Sequence, residues 1–351
     1  MRTLRQPPSD DLVHRRLDEV YAACAAKPDV RELARLKLIV FSDHHRGQGD
    51  GADDFAACQA TYHAALGWYL ELGFTLVLLG DVEELWECMP FFVCRKYADT
   101  LRLEQRFAPT RLVRIRGNHD EEWAEGRYVR RHLGKYLSRD PKDRTGFPLG
   151  HLIEVRRGDT RLGQILLVHG HQGTRDGDRF ATLCRFVVRY AWRPVQRVLR
   201  WPSTTPATNF RFRDAYERTM HHWVKARPGV VLIAGHSHRP VFDSETDEER
   251  LRAAVQGAPD APARAAARAQ LEYALAQAGG AGGRIPGTRS GFFNTGCCSF
   301  SDGRITGIEL EGDRIRLIQW TANDGEPARR VCAEGSLLEV LAAPRDGEPR
   351  G

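Results

Sequence analysis

Imidazole, carboxylate and carboxamide side chains gather at the ends of five short apolar runs in this sequence. The runs end in DHH at 43–45, GDVEE at 80–84, GNHD at 117–120, HGH at 169–171 and GHSH at 235–238. Seven of the chain's 13 histidines lie in these motifs, a clustering that packing alone does not explain. Oxygen and imidazole donors without a thiolate suit Mn²⁺, iron or Zn²⁺. The pattern therefore predicts a metal site with enough donors for two adjacent ions.

The elements that must position these side chains are strands of an α/β protein. Each apolar run is short and rich in β-branched residues, as buried strands are. Apolar residues recur at helical spacing between the first two runs, and the motifs follow one another at steps of 38 residues (Asp43 to Asp81) and 37 residues (Asp81 to Asn118). Such steps suit strand–helix–strand units. Because ligands bind beyond the carboxyl ends of strands in such sheets, we expect the motifs to meet at one edge.

Length and composition describe a globular chain. Its 351 residues are 42% hydrophobic and 28% charged, enough for one large domain with insertions or for two domains. No apolar run approaches the roughly 18 residues of a membrane span, and the charged N-terminus lacks the apolar core of a secretory signal. Eight cysteines without a C-x-x-C pair argue against a disulfide framework or a thiolate zinc site. We therefore expect a cytoplasmic protein, free or peripheral to the inner face of a membrane.

Two stretches look like insertions. Residues 174–226 are rich in arginine and aromatic residues, and within them Arg185 and Arg189 begin a four-residue repeat that would align on one helix face. That helix is either an ordinary amphipathic one with a solvated face, or a lid whose Arg185 and Arg189 grip a polyanionic substrate. Residues 243–290 form a second, Ala/Arg/Gly-rich insertion, and 321–351 are predicted to be a polar C-terminal tail.

Taken in order, the five motifs resemble the signature of the calcineurin-like metallophosphoesterase superfamily: D-x-H, G-D-x-x-D, G-N-H-D/E, a histidine motif and G-H-x-H. The resemblance covers roughly residues 36–320 apart from the two insertions. It implies a four-layer αββα sandwich of two mixed β-sheets flanked by helices, with helical insertions, and a single domain over 1–320. One departure is Glu84, where the family usually has aspartate.

The resemblance also implies roles for the motif residues. Two divalent metal ions are expected, Mn²⁺ first and Zn²⁺ or iron as alternatives. The implied ligands are Asp43, His45 and His238 for the first ion, Asp81 as the bridge, and Asn118, His169 and His236 for the second.

Further residues are implied around the ligands. His119 would face the leaving group as general acid or as a positive charge, and Asp120 would orient its ring. His171, Glu84 and Arg46 would support the ligands or contact the substrate.

The GHSH motif has two histidines one residue apart. On extended backbone, side chains at i and i+2 point the same way, so His236 and His238 are expected to serve one ion each. Gly235 is expected to let the backbone turn out of the sheet without a side-chain clash.

The implied reaction is hydrolysis of a phosphomonoester, phosphodiester or pyrophosphate by attack of a metal-bridging hydroxide. The sequence GDVEELWE, with Trp86, is similar to the G-D-x-x-D-x-W of UDP-2,3-diacylglucosamine pyrophosphatases, which also place an Arg-rich helical lid after the fourth motif. In contrast, those enzymes typically show H-G-D where this chain has His169-Gly170-His171, and they lack a counterpart of 243–290. The expected substrate is therefore a phosphorylated small molecule, with a lipid-linked pyrophosphate as its sharpest form.

Two alternatives stay open at this point. The net charge of +6 favours an anionic partner, which allows a nuclease or cyclic-nucleotide phosphodiesterase, with nucleic acid as partner, or a peripheral membrane contact. A non-catalytic protein-binding scaffold, like the retromer subunit with this fold, would typically have lost the catalytic histidine that this chain keeps as His119. The sequence leaves the oligomeric state open.

Overall fold

The computed structural model describes residues 9–51, 53–137, 145–173, 210–242, 255–277, 291–323 and 326–342. Within these ranges the chain forms twelve β-strands and eight α-helices. Two six-stranded mixed sheets pack face to face, and helices cover both outer faces. The four-layer sandwich that the resemblance implied is therefore confirmed.

The first sheet contains the strands that precede three of the five motifs. Its members are β2 (Lys37–Phe41), β3 (Thr75–Leu79), β4 (Leu112–Ile115), β10 (Ile305–Glu311), β11 (Arg314–Asn323) and β12 (Glu326–Ser336). The order across the sheet is β12-β11-β10-β2-β3-β4. The strands β2, β3 and β4 are parallel, so the three motifs that follow them meet at one edge.

The second sheet contains the strands that precede the other two motifs. Its members are β1 (Asp29–Glu32), β5 (Gly150–Arg157), β6 (Thr160–Val168), β7 (Val230–Ala234), β8 (Pro240–Val241) and β9 (Phe292–Thr295). The order is β1-β5-β6-β7-β9-β8, with β6, β7 and β9 parallel. The HGH and GHSH motifs therefore also leave their sheet at neighbouring carboxyl ends.

Six of the eight described helices form the two outer layers. The eight are α1 (Asp10–Ala25), α2 (Gln59–Glu71), α3 (Pro90–Lys96), α4 (Ala98–Gln105), α5 (Gly126–Leu137), α6 (Phe210–Lys225), α7 (Ala261–Gln277) and α8 (Leu337–Ala342). Helices α2 to α5 pack on the first sheet, whereas α1 and α6 pack on the second. None of the helices in the described part of the chain combines the length and apolarity that crossing a bilayer requires.

The central strands are buried on both faces. In β2, Leu38 and Val40 face the second sheet, while Ile39 and Phe41 face the helices of the first. All five residues of β3 and of β7 are buried. This double burial explains why these runs are continuously apolar rather than alternating. It also fixes the register, because a shift by one residue would exchange the two buried faces.

The C-terminal tail prediction is wrong for the part of 321–351 that is described. Strand β12 pairs with β11 along its length, and α8 buries Leu337, Val340 and Leu341 in the core between the sheets. The strand escaped recognition because it lies at the edge of its sheet and exposes most of its residues, which keeps its sequence polar. Strands β10 and β11 form a hairpin that turns at residues 311–313, with Gly312 at a φ of 56°.

The two predicted insertions are only partly described. Residues 174–209, with Arg185 and Arg189, lie outside the described residues. The following helix α6 buries Met220 and Trp223 against the second sheet. In the range 243–290, α7 is largely exposed. The division into a core domain, a lid and a second insertion remains a prediction.

A buried ion network lies beneath the strand ends. Arg46 is fully buried, pairs with Glu104, and places its guanidinium 5.0 Å from the centre of the Phe55 ring. Arg114 donates hydrogen bonds to both carboxylate oxygens of Glu83, at 2.7 and 2.6 Å. Arg46 therefore supports the loop from behind, and the prediction that it contacts the substrate is wrong because the core encloses it.

Removing one carboxylate from this network is expected to destabilise the fold strongly. Glu104→Ala leaves the Arg46 guanidinium with Glu83 at 3.7 Å as its remaining carboxylate. Breaking a buried pair from one side costs about 3–5 kcal/mol in the free energy of unfolding, which urea denaturation measures. The control Asp99→Ala removes an exposed pair with Arg102 and should cost less than about 1 kcal/mol. Equal losses in the two variants would contradict the role of the network.

Candidate metal centre

The structure brings the predicted ligands together at one end of the seam between the two sheets. Asp43 and His45 follow β2, Asp81 follows β3, Asn118 follows β4, His169 follows β6, and His236 and His238 follow β7. Three groups of possible ligand atoms each lie within 4.8 Å of one another: Asp43, His45 and His238; His45, Asp81 and His119; Asp81, His169 and His236. The first sheet supplies the carboxylates and the second sheet supplies three of the imidazoles.

Asp81 lies between the two sets of histidines. Its Oδ2 atom is 3.0 Å from His169 Nε2 and 3.9 Å from His45 Nε2. Asp43 Oδ1 is 3.2 Å from His238 Nε2 and 4.0 Å from His169 Nε2. The imidazoles therefore turn their Nε2 atoms towards the two carboxylates, and Asp81 stands where a carboxylate can serve two neighbouring ions.

The donor set fits a divalent cation. The side-chain oxygen of Asn118 is buried, and it has no hydrogen-bond partner among the described residues. A buried carbonyl left in this way costs about 1–3 kcal/mol, which coordination of a cation would offset. Carboxylate, carboxamide and imidazole ligands together suit Mn²⁺, iron or Zn²⁺.

Hydrogen bonds to the second ring nitrogen fix two of the histidines. His169 Nδ1–H donates to the Leu79 carbonyl at 2.9 Å, and His45 Nδ1–H donates to Glu84 Oε2 at 3.0 Å. A partner on Nδ1 sets the tautomer and leaves Nε2 available as a ligand. The orientation of both rings is therefore set by the protein itself.

Glu84 holds His119 as well as His45. The same Oε2 atom lies 2.7 Å from His119 Nδ1. On one face of the His119 ring, the Trp86 indole stacks at 4.5 Å between ring centres and 17° between planes. His119 is thus clamped between a carboxylate and an aromatic face. The departure from the family's usual aspartate places the carboxylate within reach of both histidines.

The prediction that Asp120 orients His119 is wrong. Asp120 instead accepts hydrogen bonds from the backbone N–H of Val82 at 3.0 Å and of Gly117 at 2.6 Å. Its carboxylate therefore joins the two loops that carry Asp81 and Asn118. The position of Asp120 next to His119 in the sequence suggested the wrong partner, because its carboxylate bonds to loop backbone instead.

The charges of these groups follow from burial and from their neighbours. Although burial by itself lowers the pKa of His119, Glu84 and Asp81 raise it to about 10. Burial opposes ionisation of Glu84 too, yet His119 and His45 lower its pKa to about 2. Burial and the Asp81 charge raise the pKa of Asp120 to about 7. At neutral pH His119 is therefore a cation that can donate a proton.

The backbone around the ligands is left-handed. Among the described residues, the non-glycine residues with positive φ are all predicted ligands: Asp43 (53°), His45 (49°), Asp81 (50°), His236 (68°) and His238 (56°). Such conformations cost of order 1–3 kcal/mol each and cluster at functional sites. The premise of an extended GHSH backbone is therefore wrong, although the two histidines do join different donor groups.

Three motif glycines leave room for ligand side chains. A Cβ atom on any of them would overlap a neighbour: 2.6 Å from His169 Cγ at Gly80, 2.1 Å from Asp81 Oδ1 at Gly117, and 2.5 Å from Asp43 Oδ2 at Gly235. The prediction that Gly235 avoids a side-chain clash is confirmed, although φ at this residue is not positive. Its requirement for glycine comes from the Asp43 carboxylate that packs on its Cα.

The remaining histidines of the motifs do not join the three donor groups. His171 is buried beside His169, with 5.5 Å between ring centres, and burial and His169 lower its pKa well below the usual value. His44 packs between Phe55 and Tyr62, at 5.5 and 4.8 Å between ring centres. His171 therefore supports the ligands from beside His169, and His44 belongs to the core.

One aromatic residue beside the site was not predicted from the sequence. Tyr216 of α6 is buried, and its ring meets the His236 ring edge-on at 5.5 Å. Helix α6 lies in a stretch that was assigned to an insertion, and no motif contains Tyr216. Only the packing of α6 beside β7 reveals that this ring borders a predicted ligand.

The steric role of Gly117 gives a direct test. In Gly117→Ala the new methyl group displaces the Asp81 carboxylate, so the affinity for Mn²⁺ measured by titration calorimetry should fall about 10–100-fold, as for other groups that orient ligands. The matched control is Gly67→Ala in α2, where a Cβ meets nothing within 4 Å. That variant should bind Mn²⁺ normally, and unchanged affinity in Gly117→Ala would contradict the argument.

The Glu84–His119 contact makes a prediction for the metal-free protein. Glu84→Gln removes the anion that does most to raise the pKa of His119, so this pKa should fall from about 10 towards its usual value. Because the folded pKa is raised, the stabilisation by this charge is fully present below about pH 6.5 and disappears as the pH rises through the folded pKa. NMR titration of the ring protons measures the shift. The control Glu311→Gln, in the distant hairpin, should leave it unchanged, and an unshifted His119 in Glu84→Gln would overturn the assignment.

One comparison with known proteins identifies a family. A family model described as calcineurin-like phosphoesterase matches residues 36–240. No curated protein matches the chain at a significant level.

Solved structures give weaker likenesses. Vacuolar protein sorting 29 from Cryptosporidium parvum is 14% identical with a TM-score of 0.38, covering 86% of this chain and 98% of that one. Wild-type Vps29 complexed with Zn²⁺ from Entamoeba histolytica is 14% identical with a TM-score of 0.32, covering 84% of this chain and 98% of that one. Scores this low carry no argument about function. The family match, which extends over more than half of the 351 residues and includes every predicted ligand, shows that this chain belongs to the calcineurin-like phosphoesterase family.

Proposed function

We propose that this protein is a dinuclear-metal-dependent phosphoric ester hydrolase. The observation that carries the proposal is the pair of three-donor groups, Asp43–His45–His238 and Asp81–His169–His236, with Asp81 3.9 Å from His45. Histidines of both sheets converge on two buried carboxylates of the first sheet. A purely structural role does not require this arrangement. The proposal extends the family membership to a specific arrangement of ligands in this chain.

Each ion would have its own ligands and one in common. Asp43, His45 and His238 would hold the first ion, Asn118, His169 and His236 the second, and Asp81 both. When bound, two such ions would polarise the phosphoryl oxygens and lower the pKa of the attacking water. We propose Mn²⁺ as the resident metal, with Zn²⁺ and iron as the ions to compare.

His119 would handle the leaving group. Its ring is held by Glu84 on Nδ1 and by the Trp86 face, and in the metal-free protein Glu84 and Asp81 raise its pKa to about 10. Nε2–H can therefore donate a proton to the departing oxygen, and Glu84 stabilises the imidazolium before transfer. This role requires that the ring stay in place when the ions are bound, which the two-sided clamp provides.

For the substrate we propose a pyrophosphate of the UDP-2,3-diacylglucosamine type. The support is the GDVEELWE motif, whose Trp86 contacts His119 and also donates a hydrogen bond to the Asn118 carbonyl at 2.5 Å. This tryptophan thus touches both the residue proposed for the leaving group and the loop of a proposed ligand. A base or a sugar beside the phosphoryl group could stack against the same ring system.

A substrate panel tests the function. The purified full chain, with Mn²⁺, is given a chromogenic phosphodiester, UDP-diacylglucosamine, a cyclic nucleotide and single-stranded DNA. We expect hydrolysis that chelation abolishes, with UDP-diacylglucosamine preferred. Preference for cyclic nucleotides or DNA would replace the substrate assignment, and no turnover with Mn²⁺, Zn²⁺, Mg²⁺ or Fe²⁺ would favour a protein-binding scaffold.

Two variants separate the roles of the site residues within that assay. His119→Ala should lower turnover about 10²–10⁴-fold, the usual contribution of general acid catalysis, with metal content by mass spectrometry near normal. Asp81→Ala should lose bound metal, because it removes the shared ligand. His119 also lies within one donor group, so loss of metal in His119→Ala would show it to be a ligand instead.

A further inference from the structure

Helices α3 and α5 present a surface that the catalytic proposal does not use. The two helices pack against each other on the first sheet. Their exposed sides, with the residue preceding α3, show four large apolar or aromatic side chains to solvent: Met89, Phe91, Phe92 and Tyr128. Phe91 is 56% exposed, although large side chains of this type are normally buried. We call these residues and the cations of both helices the α3–α5 surface.

The same surface is strongly basic. The two helices contain six lysines and arginines and no aspartate or glutamate. All six cations are exposed: Arg95, Lys96, Arg127, Arg130, Arg131 and Lys135. Arg127 pairs with Glu125, and within the described ranges the other five have no ion pair. Exposed cations usually alternate with acidic residues on a solvated helix face, so this imbalance indicates an anionic partner.

The apolar end of this surface is joined to the candidate metal centre by short stretches of chain. Trp86, which stacks on His119, precedes Met89 by three residues, and Asp120 precedes the start of α5 by six. Phe91, Phe92 and Tyr128 lie in the first turns of their helices. The large apolar side chains therefore lie on the end of each helix that is nearer the site along the chain, and most of the cations lie farther along.

The chemistry of the surface favours lipid over nucleic acid. Exposed Met and Phe side chains beside Lys and Arg are the combination that inserts at a membrane interface and attracts anionic headgroups. Stacking of bases requires open aromatic faces, whereas Phe91 and Phe92 meet edge-to-face at 5.5 Å and 73°. The helix pair also forms an outer face of the molecule, rather than a channel that could hold a nucleic-acid strand.

We propose that the α3–α5 surface docks on an anionic lipid bilayer. Met89, Phe91, Phe92 and Tyr128 insert among the headgroups, and the five unpaired cations contact lipid phosphates. This orientation brings the Trp86–His119 side of the metal centre to the membrane. The docking stands independently of the phosphoesterase proposal, whereas delivery of a membrane-borne phosphoester to the site rests on it.

Vesicle co-sedimentation tests the docking. The full chain with excess chelator, which prevents turnover, is mixed with vesicles of phosphatidylcholine alone or with 30 mol% phosphatidylserine. We expect binding to the anionic vesicles that falls with added salt. Arg130→Ala/Arg131→Ala should weaken it at least roughly tenfold, since each cation near an anionic surface contributes about fivefold. Phe91→Ser/Phe92→Ser should weaken it by a similar factor through lost insertion.

Matched controls distinguish this surface from general charge or apolarity. Arg264→Ala/Arg268→Ala removes two exposed arginines from α7, and Val30→Ser removes a side chain that is 54% exposed on the opposite sheet. Both should bind like the parent. Absence of binding to anionic vesicles, or equal loss in test and control variants, would overturn the proposal. So would an anionic oligonucleotide that binds through the same arginines while vesicles do not.

Because the assay needs neither metal nor substrate, its result is independent of the catalytic proposal. Binding to anionic vesicles without turnover in the substrate panel would contradict the phosphoesterase proposal alone. Turnover of soluble substrates without binding to anionic vesicles would contradict the membrane proposal alone.

Discussion

Two buried carboxylates held close together constrain the rest of this structure. Asp43 and Asp81 follow adjacent parallel strands and are both almost completely buried. In a medium of low polarity their charges repel strongly unless cations compensate them. Burial raises the pKa of Asp43, yet His169 and His238 bring it down to about 2. The compensating imidazoles come from the opposite sheet, so the electrostatics of the site and the closure of the sandwich depend on each other.

This dependence explains why so much local strain is concentrated at one edge. The loops after β2 and β3 run side by side, with Asp43 N–H bonded to the Gly80 carbonyl and His45 N–H bonded to the Asp81 carbonyl. Left-handed backbone at these positions turns the side chains towards the seam rather than along the strand direction. Glycines at 80, 117 and 235 then let the opposing loops approach without a Cβ between them. Strain and close approach together set distances that unstrained strand ends would not reach.

The sequence predicted those parts of the molecule in which chemistry and periodicity agree. Strands such as β3 and β7 are apolar throughout because both faces are buried, and the motifs at their ends name their own donors. Tyr216 was missed because it belongs to none of the five motifs and lies in the Arg-rich stretch 174–226. Strand β12 was missed because an edge strand shows little apolar periodicity.

Contacts between side chains were harder to predict than elements. Proximity in sequence made Asp120 the partner of His119, whereas the fold brings Glu84 there from another loop. Similarly, the spacing of the GHSH histidines suggested an extended backbone, although both residues are left-handed. A motif specifies which atoms are present, but the path of the backbone decides which of them meet.

The outermost strand of the first sheet bears on how this protein behaves at high concentration. Within the described ranges, no strand pairs with the outer row of backbone donors and acceptors of β12. Such a row can template pairing between molecules. Arg330 and Glu334 place exposed charges on this strand, and Pro327 lacks a backbone N–H near its start. These residues act as a barrier to intermolecular sheet growth, so the polarity that disguised the strand also protects the molecule from self-association along that edge.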